Sequence, residues 1–200
     1  MPFIAQPKFT ILPRMSYPFA DIAFTPAVQK LQERYGSRAR LAQMQARSTR
    51  GEALGPPEEE FLARADSFYL ATVGETGWPY VQHRGGPPGF FKVLSPVQLA
   101  FADFRGNLQY VSAGNAAGNA RASIIVMDYA ERSRLKLLGT LRFIEVAQAD
   151  AALVSRVSLP GYAGRVERVA LLDLAAFDWN CSQHITQRFT LEQLREAAGA

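Results

Sequence analysis

The chain has 200 residues, 48% of them hydrophobic and 20% charged, a globular balance that excludes disorder, a collagen-like repeat and a coiled coil. Its longest apolar runs, such as Ala122 to Met127 and Val169 to Phe177, fall far short of the roughly 18 residues a membrane span needs, so a soluble chain with no membrane partner is expected. Twenty-two Lys and Arg against 18 Asp and Glu give a net charge of +4 that is spread along the chain. With no basic arm and no zinc-finger, RNP or KH pattern, nucleic acid is not an expected partner.

The amino terminus lacks a charged region followed by an apolar run, which makes a cytoplasmic location the expectation. A single cysteine, Cys181, forms no internal disulfide, and with only His83 and His184 beside it no structural zinc site is expected.

Residues 1–25, rich in Pro and Phe without a sustained period, read as an extended arm over the surface or a partner subunit, and residues 26–200 as a single domain. Thr25-Pro26 marks a helix start, with Val28, Leu31 and Tyr35 on one face before Gly36. A second short helix follows Pro56-Pro57 through Ala63, with acidic residues in its first turn, where the helix dipole favours them.

Strand texture begins at Phe68. Phe68 to Val73, a turn over Gly74 to Gly77, and Pro79 to Arg84 read as a hairpin. Gly85 to Gly89 is a loop, and extended segments follow at Phe90 to Leu94, Val97 to Phe104, Ser123 to Tyr129, Leu135 to Val146 and Arg165 to Trp179. Short helices are expected over Asn115 to Ala120, Ala149 to Val157 and Thr190 to Ala198, the last capped by Thr190. Closely spaced strands without regular strand–helix alternation favour a mainly β antiparallel barrel with helical decoration over a doubly wound sheet.

Gly114 to Gly118 lacks the G-x-G opening of a dinucleotide fingerprint, and no G-x-x-x-x-G-K-[ST] loop is present. Asp178 to His184 sets acid, thiol and imidazole within seven residues, but catalytic triads assemble in space and no nucleophile elbow accompanies them. Gly106 to Asn115 is more informative: it follows a strand and precedes a helix. Its Ser and Asn side chains and unpaired amides suit a phosphate at a helix start, the alternative being a Gly-Asn hairpin turn. In an extended Arg134 to Gly139, Arg134 and Lys136 share one face while Leu135 and Leu137 point into the core. That cationic face either meets water or meets the same anion.

Taken in order, Gly77-Trp78-Pro79-Tyr80, His83 to Phe90, Lys92-Val93-Leu94, Phe104 to Asn107, Ser112 to Asn115, Met127-Asp128-Tyr129, Arg134 to Gly139 and Asp178 to Ile185 resemble the FMN-binding split-barrel proteins related to pyridoxamine 5'-phosphate oxidase. The resemblance covers roughly residues 20 to 190. It implies a six-stranded antiparallel split β-barrel and a homodimer holding FMN at the subunit interface. Carried onto this chain, Arg84, Lys92, Asn107, Ser112, Asn115 and Lys136 hold the phosphate and ribityl end, with Gly85, Val93 and Arg134 beside them. Trp179, Asn180 and Gln183, in a flavin-covering C-terminal segment, approach the ring; by their own chemistry Phe90, Phe91 and Trp179 read either as its apolar wall or as core.

Two segments depart from the oxidase proper. Its R-x-V-L-x-K stretch and C-terminal R-x-H-D-R are replaced here by Gln82-His83-Arg84-Gly85-Gly86 and Asn180-Cys181-Ser182-Gln183-His184. Pyridoxamine phosphate is therefore not the expected substrate, and the C-terminal segment either defines another substrate or closes the flavin pocket. The resemblance implies an FMN-dependent oxidoreductase acting on a small molecule, with His184 and Tyr110 as candidates for proton transfer. The alternative is a non-catalytic module that stores flavin or binds haem or a deazaflavin.

Overall fold

The computed structural model describes residues 18–47, 52–179 and 183–199. The chain divides into two compact units, residues 1–50 and 51–200. The first holds helices α1 (Pro18–Ala23), α2 (Pro26–Arg34) and α3 (Arg38–Arg47). Helix α2 starts where Thr25-Pro26 predicts: Thr25 Oγ1 accepts from the Val28 amide, and Pro26 occupies a first-turn position that needs no N–H. Residues 18–23, expected to be extended, are instead helical. Pro18 stands at the first position, where its missing N–H costs nothing, and Ala20 is fully buried. The rest of the expected arm, residues 1–17, lies outside the described residues. Helix α3 has no counterpart in the apolar pattern; its Arg, Ala, Leu, Gln and Met are strong helix formers, so propensity rather than periodicity carries it.

The second unit opens with α4 (Pro56–Arg64), then β1 (Ser67–Val73), β2 (Pro79–Gly85), β3 (Lys92–Ser95) and β4 (Gln98–Phe104). Helix α5 (Val111–Gly118), β5 (Arg121–Asp128), β6 (Ser133–Glu145), α6 (Ala151–Val157), β7 (Val166–Trp179) and α7 (Leu191–Ala197) follow. Each expected strand forms within a few residues of its predicted ends. Thr190 caps α7 reciprocally with Gln193: Thr190 Oγ1 accepts from the Gln193 amide, and Gln193 Oε1 accepts from the Thr190 amide. In the β1–β2 turn, Gly77 takes φ +82°, a left-handed conformation that favours glycine.

All pairings are antiparallel, in the order β2-β1-β5-β6-β7-β4-β3. The sheet has seven strands where six were expected; the short β3 joins as a hairpin partner of β4. The sheet is not closed by a ladder, yet it curls far enough that Phe68 of β1 meets Phe101 of β4, ring centroids 5.1 Å apart. The architecture is a split barrel.

Strand alternation divides residues between its two faces. Leu70, Ile124, Leu137 and Phe177 are aligned neighbours across β1, β5, β6 and β7, and all are buried inside the barrel. One residue along, Tyr69, Ile125, Lys136 and Asp178 form the matching row outside. Leu135 and Leu137 are fully buried, as the alternation predicts. Phe90 and Phe91 belong to the core, packed on Phe68, rather than to an open wall. A second apolar cluster lies behind β4 and β7, where Ala100, Ala102, Val169 and Leu171 pack with Val157 of α6.

The longest ladder, β6 with β7, shifts register between Leu138 and Gly139. A Cβ on Gly139 would stand 2.4 Å from the Asp173 carbonyl oxygen, a backbone atom with no rotamer to move. Gly139→Ala is therefore expected to destabilise the barrel by about 1–3 kcal/mol, the usual range for overpacking. Urea denaturation checks this, and an unchanged midpoint would mean that the ladder can part there without loss.

Candidate functional site

The seam between β2 and β4 contains the most polar part of the interior. Arg84 is the partner of Phe68 across the β1–β2 ladder and so faces inward; Asp103 shares the inward phase of Leu99 and Phe101 along β4. Asp103 is only 2% exposed, and a buried carboxylate is costly unless paired and hydrogen-bonded. Two arginines meet that demand. Arg84 Nη1 donates to Oδ1 at 2.5 Å, while Arg168 Nε and Nη2 donate to Oδ2 at 2.9 and 2.6 Å. Arg168 is the ladder neighbour of Asp103 on β7, so the pleat itself sets them side by side. Burial pulls the Arg168 pKa down, but the hydrogen bonds and charge of Asp103, with the charges of Glu145 and Glu167, hold it above its ordinary value.

Residues 106–113 lie along this seam and complete a cleft of about 160 Å³ with Tyr80, Gln82, Arg84, Asp103 and Arg168. The segment is tightly specified. Asn107 Oδ1 accepts from the Gln109 amide at 3.1 Å, and Leu108 and Tyr110 adopt φ of +61° and +52°. Left-handed conformations of bulky residues cost on the order of 1 kcal/mol or more each and concentrate at functional sites. Tyr110 lies over the Arg168 guanidinium at 4.6 Å from its ring centroid, and its hydroxyl donates to Glu167 Oε2 at 3.4 Å. Helix α5 then begins at Val111, placing Ser112 in its first turn, where backbone amides have no intrahelical acceptor. Ser112 is 3% exposed, and among the described residues neither its Oγ nor the buried Arg84 Nε has a hydrogen-bond partner. Two oriented donors thus stand beside a cluster with two positive charges and one negative.

Among the expected cofactor contacts, Arg84, Asn107 and Ser112 meet in this cleft, joined by Tyr110. Asn115 does not stand at the helix start. It lies one turn further on, where its Nδ2 donates to Thr72 Oγ1 at 3.0 Å; the helix also excludes a hairpin turn at Gly114-Asn115. Lys92 and Val93 are on β3, Lys92 beside Ala100 of β4 and Val93 against the core. Gly85 ends β2 opposite Ser67. Arg134 and Lys136 occupy the outer face of β6 and do not line the cleft. Trp179 packs edge-on against Phe61 of α4 at 4.7 Å and donates Nε1–H to Glu58 Oε1. Gln183 and His184 are exposed in a turn, and Asn180 lies outside the described residues.

The outer face has its own electrostatics. Lys136 Nζ lies 2.7 Å from Asp178 Oδ2 across the β6–β7 ladder. Burial pushes the Asp178 carboxyl up to about 6, and burial together with the Arg134 charge draws Lys136 below its ordinary value. Arg134 Nε is buried and has no hydrogen-bond partner among the described residues. Tyr69 and His83 continue this face across β1 and β2, their rings 5.6 Å apart.

Sequence reading missed Asp103 and Arg168. They are 65 residues apart in sequence and adjacent only through the ladder. One signal was available: each is a charged residue at the inward phase of an otherwise apolar strand, a position natural cores fill with charge only when it is paired.

The sequence pattern of the pyridoxamine 5'-phosphate oxidase family matches residues 55–176, more than half of the chain. None of the curated proteins compared with it matches. Among solved structures, HupZ of Group A Streptococcus superposes with a TM-score of 0.52 at 12% identity, covering 68% of this chain and 99% of that one. A pyridoxamine 5'-phosphate oxidase-related, FMN binding protein from Nostoc punctiforme reaches 0.45 at 19% identity, over 63% and 84%. An FMN-binding protein from Syntrophomonas wolfei reaches 0.41 at 10% identity, over 74% and 97%. The likeness to HupZ supports the split-barrel fold.

The raised carboxyl of Asp178 has a signed consequence. Between about pH 4, where an unfolded Asp loses its proton, and pH 6, the folded chain keeps a proton that the unfolded chain has lost. The contribution of Asp178 to stability therefore falls as pH rises through this window. Carboxyl ¹³C NMR is expected to give a midpoint of about 6 for Asp178, and Asp178→Asn to remove that part of the stability slope. A midpoint at the unfolded value would mean that the pair with Lys136 fully offsets burial.

Proposed function

Because the chain belongs to the pyridoxamine 5'-phosphate oxidase family, we propose that it is an FMN-binding oxidoreductase, working as a homodimer on a small molecule. The observation that carries the reading is the cleft at the barrel seam, where Ser112 Oγ and Arg84 Nε are buried donors without acceptors among the described residues. A phosphate monoester answers both, because its oxygens accept from hydroxyl, guanidinium and first-turn amides together. The donor set fits the phosphate end of FMN: Arg84, Ser112 and the opening amides of α5 hold it, with Asn107 keeping the loop in shape.

The remaining contacts require the outer face. Arg134 and Lys136 lie on the opposite side of the sheet from Arg84, so one chain does not present all three to one phosphate. A second subunit against that face resolves the division. Tyr69 and Val81 give the face partly exposed apolar surface suited to such a contact. Trp179, with Gln183 in the segment that follows it, then borders the ring, while Gly85, Lys92, Val93 and Asn115 support the walls.

FMN supplies hydride or single-electron chemistry when bound, and the protein supplies position, hydrogen bonds and control of access. His184 and Tyr110 are the candidates for moving a proton. The imidazole of His184 is exposed, and Tyr110 lines the cleft with its hydroxyl donated to Glu167.

The test is the absorption spectrum of purified protein, with acid release of the chromophore and mass spectrometry. FMN at about one per chain is expected, and flavin that stays inert toward every donor and acceptor would leave a binding module in place of an enzyme. Arg134→Ala and Lys136→Ala are each expected to weaken FMN binding roughly ten- to a hundredfold, the equivalent of a charge-assisted contact of ~1.5–3 kcal/mol. Sedimentation should show an unchanged dimer, and full flavin retention in both variants would remove these residues from the site.

A further inference from the structure

The cluster at the seam assigns different work to its two arginines. Arg168 directs Nε and Nη2 at one carboxylate oxygen of Asp103, and its Nη1 stands 3.8 Å from Glu145 Oε1. The rings of Tyr110 and Phe143 lie 4.6 and 5.9 Å from its guanidinium carbon. Its donors are directed at carboxylates and its plane is covered. Arg84 gives Asp103 a single bond from Nη1, rests over Phe101 at 5.9 Å, and keeps a buried Nε that no group among the described residues accepts. Arg168 therefore neutralises Asp103, and Asp103 holds Arg84 by one corner only.

We propose that Asp103, neutralised by Arg168, is a positioning residue that fixes Arg84 beside Ser112 so that the cleft receives a terminal phosphate monoester. The proposal rests on the flavin reading above and adds two residues to it. Each member is necessary for a different reason. Without Arg168, Asp103 would cancel the charge of Arg84 and leave the remaining pair neutral. Without Asp103, Arg84 would lose its anchor and two buried cations would repel one another. With all three, the cluster carries one net positive charge on a side chain that cannot swing away.

The charge arithmetic makes the test discriminating. Asp103→Asn raises the positive charge of the cleft, so electrostatics alone would tighten phosphate binding; a positioning role weakens it. The measurements are calorimetric affinities for FMN, riboflavin and inorganic phosphate, with the wild-type dimer as reference. Asp103→Asn and Arg168→Gln are each expected to weaken FMN binding about tenfold, the scale of one charge-assisted hydrogen bond, with riboflavin affinity changed by less than about twofold. Arg168→Lys keeps the charge and loses the fork, so it is expected to show a smaller loss of FMN and none of riboflavin, and it serves if Arg168→Gln does not fold.

Tighter FMN binding by Asp103→Asn, equal losses for FMN and riboflavin, or unchanged FMN binding in the variants would each overturn the positioning role while leaving the flavin reading intact. Wild-type protein that binds phosphate but not FMN, with phosphate weakened in the variants, would overturn the flavin reading and retain the positioning role. Binding of neither would overturn both.

Discussion

The buried carboxylate of Asp103 is the constraint on which the interior of this barrel depends. A carboxylate at 2% exposure is tolerated only when it is paired and hydrogen-bonded, and here the bonds come from β2, at one end of the sheet order, and from β7, the ladder neighbour of its own strand β4. Arg168 reaches it from the neighbouring strand. Arg84 reaches it across the seam that no ladder closes. The ion cluster thus stands where backbone pairing ends, and it gives the opening in the sheet a fixed polar lining instead of a collapsed apolar one.

That location explains why the loop before α5 is so closely defined. A chain crossing the seam must present groups compatible with two guanidiniums and one carboxylate. It does so with an Asn-anchored turn, two left-handed residues and a serine in the first helical turn. Tyr110 joins the two parts, its ring lying on Arg168 and its backbone leading into the helix. Strain in the loop and charge in the core are therefore features of one arrangement.

The outer face follows a different principle. Lys136 and Asp178 are ladder neighbours one position away from the fully buried Leu137, and their partial burial, rather than any deep pocket, shifts both protonation equilibria. A two-sided strand carries core on one face and chemistry on the other at no cost in sequence length. It also means that residues close in sequence, such as Arg134 and Leu135, serve different surroundings. Arg84 and Lys136 likewise face opposite sides of the sheet.

The sequence by itself determined the strands, the inward Leu135 and Leu137, the caps at Thr25 and Thr190, and the family to which the ordered motifs belong. Periodicity, turn glycines and capping side chains are local, so they are legible without a fold. It also singled out the loop bearing Asn107 and Ser112, because Asn and Ser before a helix are a local signal, while Arg84 came only through the resemblance of the ordered motifs. Only the tertiary structure decided that Arg84 faces inward while Lys136 faces outward, that Asn115 bonds Thr72, and that Phe90 and Phe91 are core. Above all it paired Asp103 with Arg168 and Arg84. Those contacts depend on strand order, ladder register and the curl of the sheet, which arise from long-range packing and have no expression in any short window of sequence.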